Sequence, residues 1–499
     1  MHRTAQGAVA RQNGDVVEAV SKYLTDLGAA VVLPVLITVF AIVLGQKFSK
    51  SLRSGILIGV GFVGINLVIG LLFGQVSPVA EALANRFSVG LNVVDVGWPS
   101  SAAIAFGSAV GAAIIPVCLL LNVVLLAVGL TRTFDIDLWN YWHFALGGAL
   151  VAAVTGNFWW GILGACTAMV VTLALADWSA PLVQKYFNLP DISFPHGTSA
   201  PYVLFALPLN WLMDRTPGLR NLKADPASIQ KRFGIFGETL FLGLFIGLLL
   251  GITGYGFDAP RADSISILSL GINVAAIMVI LPRMVAILME GLIPVSEAAR
   301  EFVQKRFPGR RFYIGLDSAI AIGQPSVIAT SLILVPVTLL VAIALAPAGN
   351  RVLPLVDLAT IPFIVAIMVA IFRGNIVRSV IGGAIVIGGG LFIATGLSAT
   401  FTKVALSSGF KNTSGSSEIS SLVDGANPLT GLLVGTSKLG PAALIVLAAL
   451  ALVFAAVIRR IVHRRDNEPD IDPTGAVVTP KSGAIATPTT GTGDVPAPA

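Results

Sequence analysis

Uncharged runs long enough to cross a bilayer recur along this chain, separated by short stretches in which the charges collect. That pattern predicts a bundle of membrane-spanning helices. The first span is Gly28 to Gly45, followed by Lys47, Lys50 and Arg53, and positive charge beside a span end marks the cytoplasmic side. Gly55 to Gln75 returns to a polar turn ending in Asp95, Trp98 and Pro99, and Ser101 to Leu130 comes back to a loop with Arg132, Asp135 and Asp137. The uncharged run from Phe144 to Ala176 is too long for one crossing and is broken by Gly156 and Asn157, so it predicts two spans and a tight turn.

Ile192 to Met213 lies between Lys185 and a basic loop holding Arg215, Arg220, Lys223, Lys231 and Arg232. Both its ends belong in the cytoplasm, and Pro195, Pro201 and Pro208 interrupt it, as a re-entrant hairpin requires. Further spans follow at Thr239 to Phe257, from Ser264 towards Arg283, at 318–350 with a broken start around Gln324 and Pro325, at Leu358 to Phe372, at Ser379 to Thr402 and at Pro441 to Ile458. Lys403 to Lys438, rich in Gly, Ser and Asn, reads as an external loop.

The expected fold is therefore an all-α polytopic membrane protein with about eleven transmembrane helices plus a re-entrant hairpin, the N-terminus outside and the C-terminus cytoplasmic. Five spans, a hairpin, five spans from the opposite side and one extra helix is the parity of an inverted five-plus-five repeat, although no repeat is visible in the residues themselves. Residues 1–27 form a polar, amphipathic segment without the apolar core of a signal peptide; 28–463 is the membrane domain; 464–499, rich in Pro, Thr, Ala and Gly, has the composition of a disordered cytoplasmic tail.

Composition agrees: 55% hydrophobic and 12% charged residues with 52 glycines exclude a soluble domain. The net charge of +6 sits in short loops and at span ends rather than on one face, so it speaks for topology and not for nucleic acid. Cys118 and Cys166 lie within apolar runs without metal or disulfide spacing. No metal, cofactor or glycine-rich nucleotide cradle is expected.

Polar chemistry inside such runs is costly and points to a site. Asp191 to Ala200 places His196, Gly197, Thr198 and Ser199 between prolines, and these can hydrogen-bond the hydroxyls of a substrate; the bland alternative is a histidine that caps a hairpin. Glu238 stands at the mouth of a span, where it is either a site carboxylate or a favourable charge at a helix N-terminus. Asp317, with Ser318 and then Gln324 and Pro325, enters a broken apolar segment; a carboxylate there can accept two bonds from adjacent hydroxyls, the usual grip on a polyol, while Gln324 donates and accepts. His143 closes an aromatic run from Asp137 that reads first as an interfacial belt and second as part of a site. Of these, Asp317 and Glu238 are the candidates to accept a hydroxyl proton, with His196 orienting a neighbouring hydroxyl, and the groups are expected to meet around one water-filled hollow.

Leu33–Pro34, Gly59 to Gly64, Val93 to Pro99 (VVDVGWP), Asp137 to His143 (DLWNYWH), Pro195 to Ala200 (PHGTSA), Phe233 to Glu238 (FGIFGE), Gly315 to Asp317 (GLD), Asp357 to Thr360 (DLAT) and Arg373 to Asn375 (RGN) occur in this order. Together they resemble the galactitol-type permeases, the membrane C components of phosphoenolpyruvate-dependent phosphotransferase systems in the ascorbate/galactitol permease superfamily. The likeness runs from about residue 20 to 460. It departs at Thr239 and Ser318, where the familiar pattern has proline, and at Gln324, in a region where it has histidine. These changes line the suspected site and leave another polyol, such as an arabitol, open.

The resemblance implies a homodimer in a bacterial plasma membrane, with a dimerising scaffold and a core that carries a sugar alcohol across in an elevator-like motion. It implies a cytoplasmic B component, phosphorylated on cysteine by way of an A component, that passes its phosphoryl group to the sugar. Nothing in this chain resembles that B domain, and neither cysteine is set to accept a phosphoryl group, so phosphotransferase activity is expected only together with the partner. The rival is an ion-coupled secondary transporter that releases its solute unmodified and uses the same carboxylates for protons or sodium.

Overall fold

The computed structural model describes residues 29–87, 91–233, 235, 238–256, 261–306, 312–354, 356–410, 416–467, 470–471 and 477–478. The segment 1–27 and most of the tail beyond 467 lie outside the described residues.

Most of the apolar runs form helices, but the one from Ser264 does not end towards Arg283: a single helix carries Arg283 within it and runs on to Arg306. In chain order the elements are α1 (Ala29–Val43), α2 (Phe48–Phe87), β1 (Val93–Asp95), α3 (Gly97–Gly107), α4 (Ala109–Ala127), β2 (Thr133–Asp135), α5 (Trp142–Thr155), α6 (Phe158–Phe187), β3 (Ile192–Ser193), α7 (Val203–Met213) and α8 (Pro226–Phe233). The chain continues as α9 (Thr239–Tyr255), α10 (Arg261–Arg306), β4 (Tyr313–Gly315), α11 (Ala319–Ile322), α12 (Pro325–Ala344), β5 (Val352–Leu353), α13 (Ile361–Ile371), α14 (Ile376–Ser407), β6 (Glu418–Ser420), α15 (Pro428–Ser437) and α16 (Pro441–Asn467), with β7 (Asp470–Ile471) and β8 (Val477–Val478) paired in the tail. Among the described residues seven helices are long and apolar enough to cross a membrane, and four shorter apolar helices accompany them.

The predicted turn falls at Gly156, in the left-handed region at φ 66°, and Asn157, whose side chain caps α6 by accepting from the Trp159 and Trp160 amides. The run from Ser101 to Leu130 differs from the expected single span. It breaks at Ser108, whose hydroxyl accepts from the Gly111 amide, so α3 and α4 are separate helices.

The external loop expected over Lys403 to Lys438 is also corrected. α14 runs to Ser407, and β6 and α15 occupy much of the remainder, with Ser420, Ser421, Asp424 and Asn427 buried. The buried polar residues after β6 serve caps and tight turns; Asn427, for example, caps α15 by accepting from the Leu429 amide.

Apart from 3-10 turns at Ala200–Tyr202 in the first half and Ala346–Ala348 in the second, the elements from α1 to α7 and from α9 to α15 follow one order: helix, long helix, strand, short helix, long helix, strand, 3-10 turn, helix, long helix, strand, helix. The sheets interlock these halves. β1 lies between β5 and β6, and β4 lies between β2 and β3, all in parallel pairings. The three strands in segments read as cytoplasmic thus pair only with one another, as do the three in segments read as external. Small residues let the long helices approach closely: a Cβ added at Gly61 of α2 would lie 2.5 Å from Leu288 Cβ on α10.

Candidate substrate site

Strands β3, β4 and β6 each deliver a polar segment to the interior because the backbone beyond their ends is broken. After β3 the chain turns through His196 to Ser199 before Pro201 opens the next helical turn. After β4, Asp317 accepts from the Ala319 amide at 2.8 Å, and the short α11 stops before Pro325 restarts the chain as α12. After β6, the segment from Ser421 to Asn427 folds under α15.

These three segments and the start of α5 converge on two histidine–aspartate pairs. His196 Nε2 lies 3.3 Å from Asp317 Oδ1, and His143 Nδ1 lies 2.8 Å from Asp424 Oδ2. Both histidines come from the first half of the chain and both aspartates from the second. The rings meet edge to face with centroids 5.0 Å apart, and Phe363 stacks on His196 at 6.0 Å.

Hydroxyls complete both pairs. Thr198 Oγ1 is 3.2 Å from His143 Nε2, so a ring that donates through Nδ1 to Asp424 accepts from Thr198. Ser318 Oγ is 3.2 Å from His196 Nδ1, and Ser199 Oγ lies 2.7 Å from Ser318 Oγ and 2.6 Å from the Phe363 carbonyl oxygen. Because the Phe363 carbonyl only accepts, Ser199 donates to it and accepts from Ser318, which leaves Ser318 to accept from His196 Nδ1. Asn427 Nδ2 donates to the Gly197 carbonyl at 2.8 Å, a second tie between the halves. Gly197 permits this approach, since a Cβ there would stand 2.6 Å from both Cβ and Cγ of His143.

Small pockets flank the pairs. One is bounded by His143, Gly197, Asp424, Asn427, Thr430 and Thr172 among others. Another is bounded by Asp137 and Asp317 among aliphatic side chains.

His143, His196, Gly197, Thr198, Ser199 and Asp317 are brought together. Gln324 is half-buried at the N-cap of α12 without a side-chain capping bond. Glu238 is exposed at the N-cap of α9 and does not line either cavity; Gly234, Phe236 and Gly237 of its motif lie outside the described residues. Sequence reasoning missed Asp424 and Asn427. The available signal was an aspartate–glycine step a few residues after a strand, as at His196–Gly197.

A family model described as "PTS system sugar-specific permease component" matches residues 23–415. The chain belongs to this family. It is 38% identical over 415 residues to the PTS system galactitol-specific EIIC component of Escherichia coli (strain K12), covering 83% of this chain and 90% of that relative. It is 39% identical over 401 residues to a putative permease IIC component of the same strain, covering 80% and 90%. The resemblance drawn from the ordered motifs is thereby established. This permease is a multi-pass membrane component of a sugar phosphotransferase system, and its described helices are those of such a protein.

Proposed function

We propose that this permease binds a sugar alcohol, galactitol or a close relative, beside the His143–Asp424 and His196–Asp317 pairs and presents it to a cytoplasmic B component phosphorylated on cysteine, itself charged by an A component. The observation that carries the reading is the meeting of two imidazoles, two carboxylates and three hydroxyls from both halves of the chain in one buried cluster. Such a set donates and accepts at short range, as the alternating hydroxyls of a polyol require. The polyol class is supported by the galactitol-specific relative.

Asp317 is the group assigned to take the hydroxyl proton, because its Oδ1 lies 3.3 Å from His196 Nε2 and its side chain borders a pocket. Glu238, exposed on α9, has less support for that role. Ser318, standing where the familiar pattern has proline, adds a hydroxyl on His196 and is the position at which this site would prefer a different polyol.

The halves are read as an inverted repeat with the N-terminus outside, supported by the common order of elements and by the exchange of the central strand between the sheets. α1, α2, α9 and α10 are read as the dimer scaffold against which the core carrying the site moves, elevator-fashion. Their exposed apolar side chains, among them Val35, Val39, Ile265, Leu268 and Ile272, suit lipid or a second copy.

The test uses vesicles containing this permease alone or with the phosphorylated B component. The expected result is polyol phosphate only when the B component is present. Accumulation of free polyol down a proton gradient by the permease alone would instead establish an ion-coupled carrier.

A further inference from the structure

We propose that Asp137 and Asp317 form a proton-binding site on the pocket they both line, with Asp137 as the residue that holds the proton. The site itself rests only on the geometry below; its link to the cargo rests on the polyol reading above.

Asp137 is 5% exposed. Its Oδ2 accepts from the Asn140 side chain and its amide donates to Asp135 Oδ1 at 3.2 Å, but Oδ1 is buried with no hydrogen-bond partner. The side chain lines the cavity together with Asp317. α1, α2 and α10 bring aliphatic side chains to the same cavity, Ile37, Ile58, Leu288 and Leu292. Among the described residues, the ionisable groups around Asp137 are Asp135 on β2, Asp317 beyond β4, and His196 behind Asp317, with the Tyr141 hydroxyl bonded to the Asp135 carbonyl at 3.1 Å. Among the described residues no Lys or Arg forms an ion pair with Asp135, Asp137 or Asp317.

A buried carboxylate oxygen in aliphatic surroundings, beside a second carboxylate and with no cation to compensate it, is relieved most simply by a proton. A hard metal ion is a poorer match. Calcium takes about six to eight oxygens, whereas two carboxylates are all this cavity supplies, and among the described residues no group of three or more His, Cys, Asp and Glu is arranged to hold a metal. Asp317 belongs to both the cavity and the His196 pair, so cargo that changes its hydrogen bonds changes how firmly Asp137 keeps its proton.

Infrared difference spectroscopy of the full chain in lipid nanodiscs, titrated in pH without ligand, tests this through the C=O stretch of a protonated carboxyl, which a carboxylate lacks. A band that bleaches as pH rises is expected, lost in Asp137→Asn. In Asp317→Asn the neighbouring negative charge is gone, so the same band should titrate at lower pH by roughly one unit. Titrations of both variants identical to the parent would overturn the proposal, and if Asp137→Asn does not fold, an unmoved titration in Asp317→Asn alone overturns it. Adding galactitol to the parent should then perturb the band. A band lost in Asp137→Asn yet indifferent to galactitol would leave the proton site standing and count against the polyol reading.

Discussion

At the β1 sheet every oxygen of the buried pair Asp95 and Asp357 has a donor. Asp95 accepts from the Gly97 and Asp357 amides at 3.1 and 2.7 Å, and Asp357 accepts from the Trp98 amide at 2.7 Å, the Ser421 hydroxyl at 2.7 Å and the Val423 amide at 3.2 Å. At the β4 sheet the acids at similar places, Asp317 and Asp137, are less complete: Asp137 Oδ1 has no partner and Asp317 turns towards His196. The two sheets have the same make-up, a central strand from one half between two strands of the other. A carboxylate saturated by backbone amides and a hydroxyl locks the halves together, whereas one left partly unsatisfied is available for chemistry.

The largest effect that would break this contrast belongs to Asp357→Ala, which strands three donors in the interior. The expected cost is about 3–5 kcal/mol, read as loss of monodisperse protein or a large drop in thermal stability in detergent. Asp317→Ala should remain folded in the same assay; the reverse ranking would invert the assignment of lock and site. His196→Ala should keep its fold but weaken polyol binding by roughly 10- to 100-fold, the equivalent of one or two hydrogen bonds to charged groups, measured by calorimetry. Gly197→Ala forces a Cβ onto His143 and should cost about 1–3 kcal/mol of stability, with a parallel loss of affinity.

Smaller effects sharpen the picture. Ser318→Pro removes the hydroxyl that faces His196 Nδ1 and should shift the ratio of affinities for galactitol and arabitol by about tenfold, the scale of one hydrogen bond. Glu238→Gln should change binding by less than about twofold, since an exposed side chain contributes little. A larger loss would return Glu238 to the site.

Hydropathy and charge along the chain made the helices legible, including the turn at Gly156–Asn157 and the broken entries at Pro195 and Pro325, because each depends on nearby residues. His196, Asp317 and His143 were legible as ionisable groups in apolar surroundings. Asp424 was not, since its meaning depends on His143 far back in the chain, and its Gly, Ser and Asn neighbours imitate a solvated loop. Glu238 failed for the opposite reason: a carboxylate at a span mouth has the same local sequence whether it faces a cavity or the exterior. The matching order of elements was visible only as a parity of spans, because the residues filling equivalent places differ, as Asp137 to His143 and Asp357 to Phe363 illustrate.

The proposed site is built jointly by the two halves, and Asp424 is its least expected member. Calorimetric titration of galactitol into purified Asp424→Asn, alongside the parent protein, tests that most directly. An affinity lowered by at least about tenfold in a variant that still elutes as folded protein is the predicted result. Unchanged affinity would contradict the joint site.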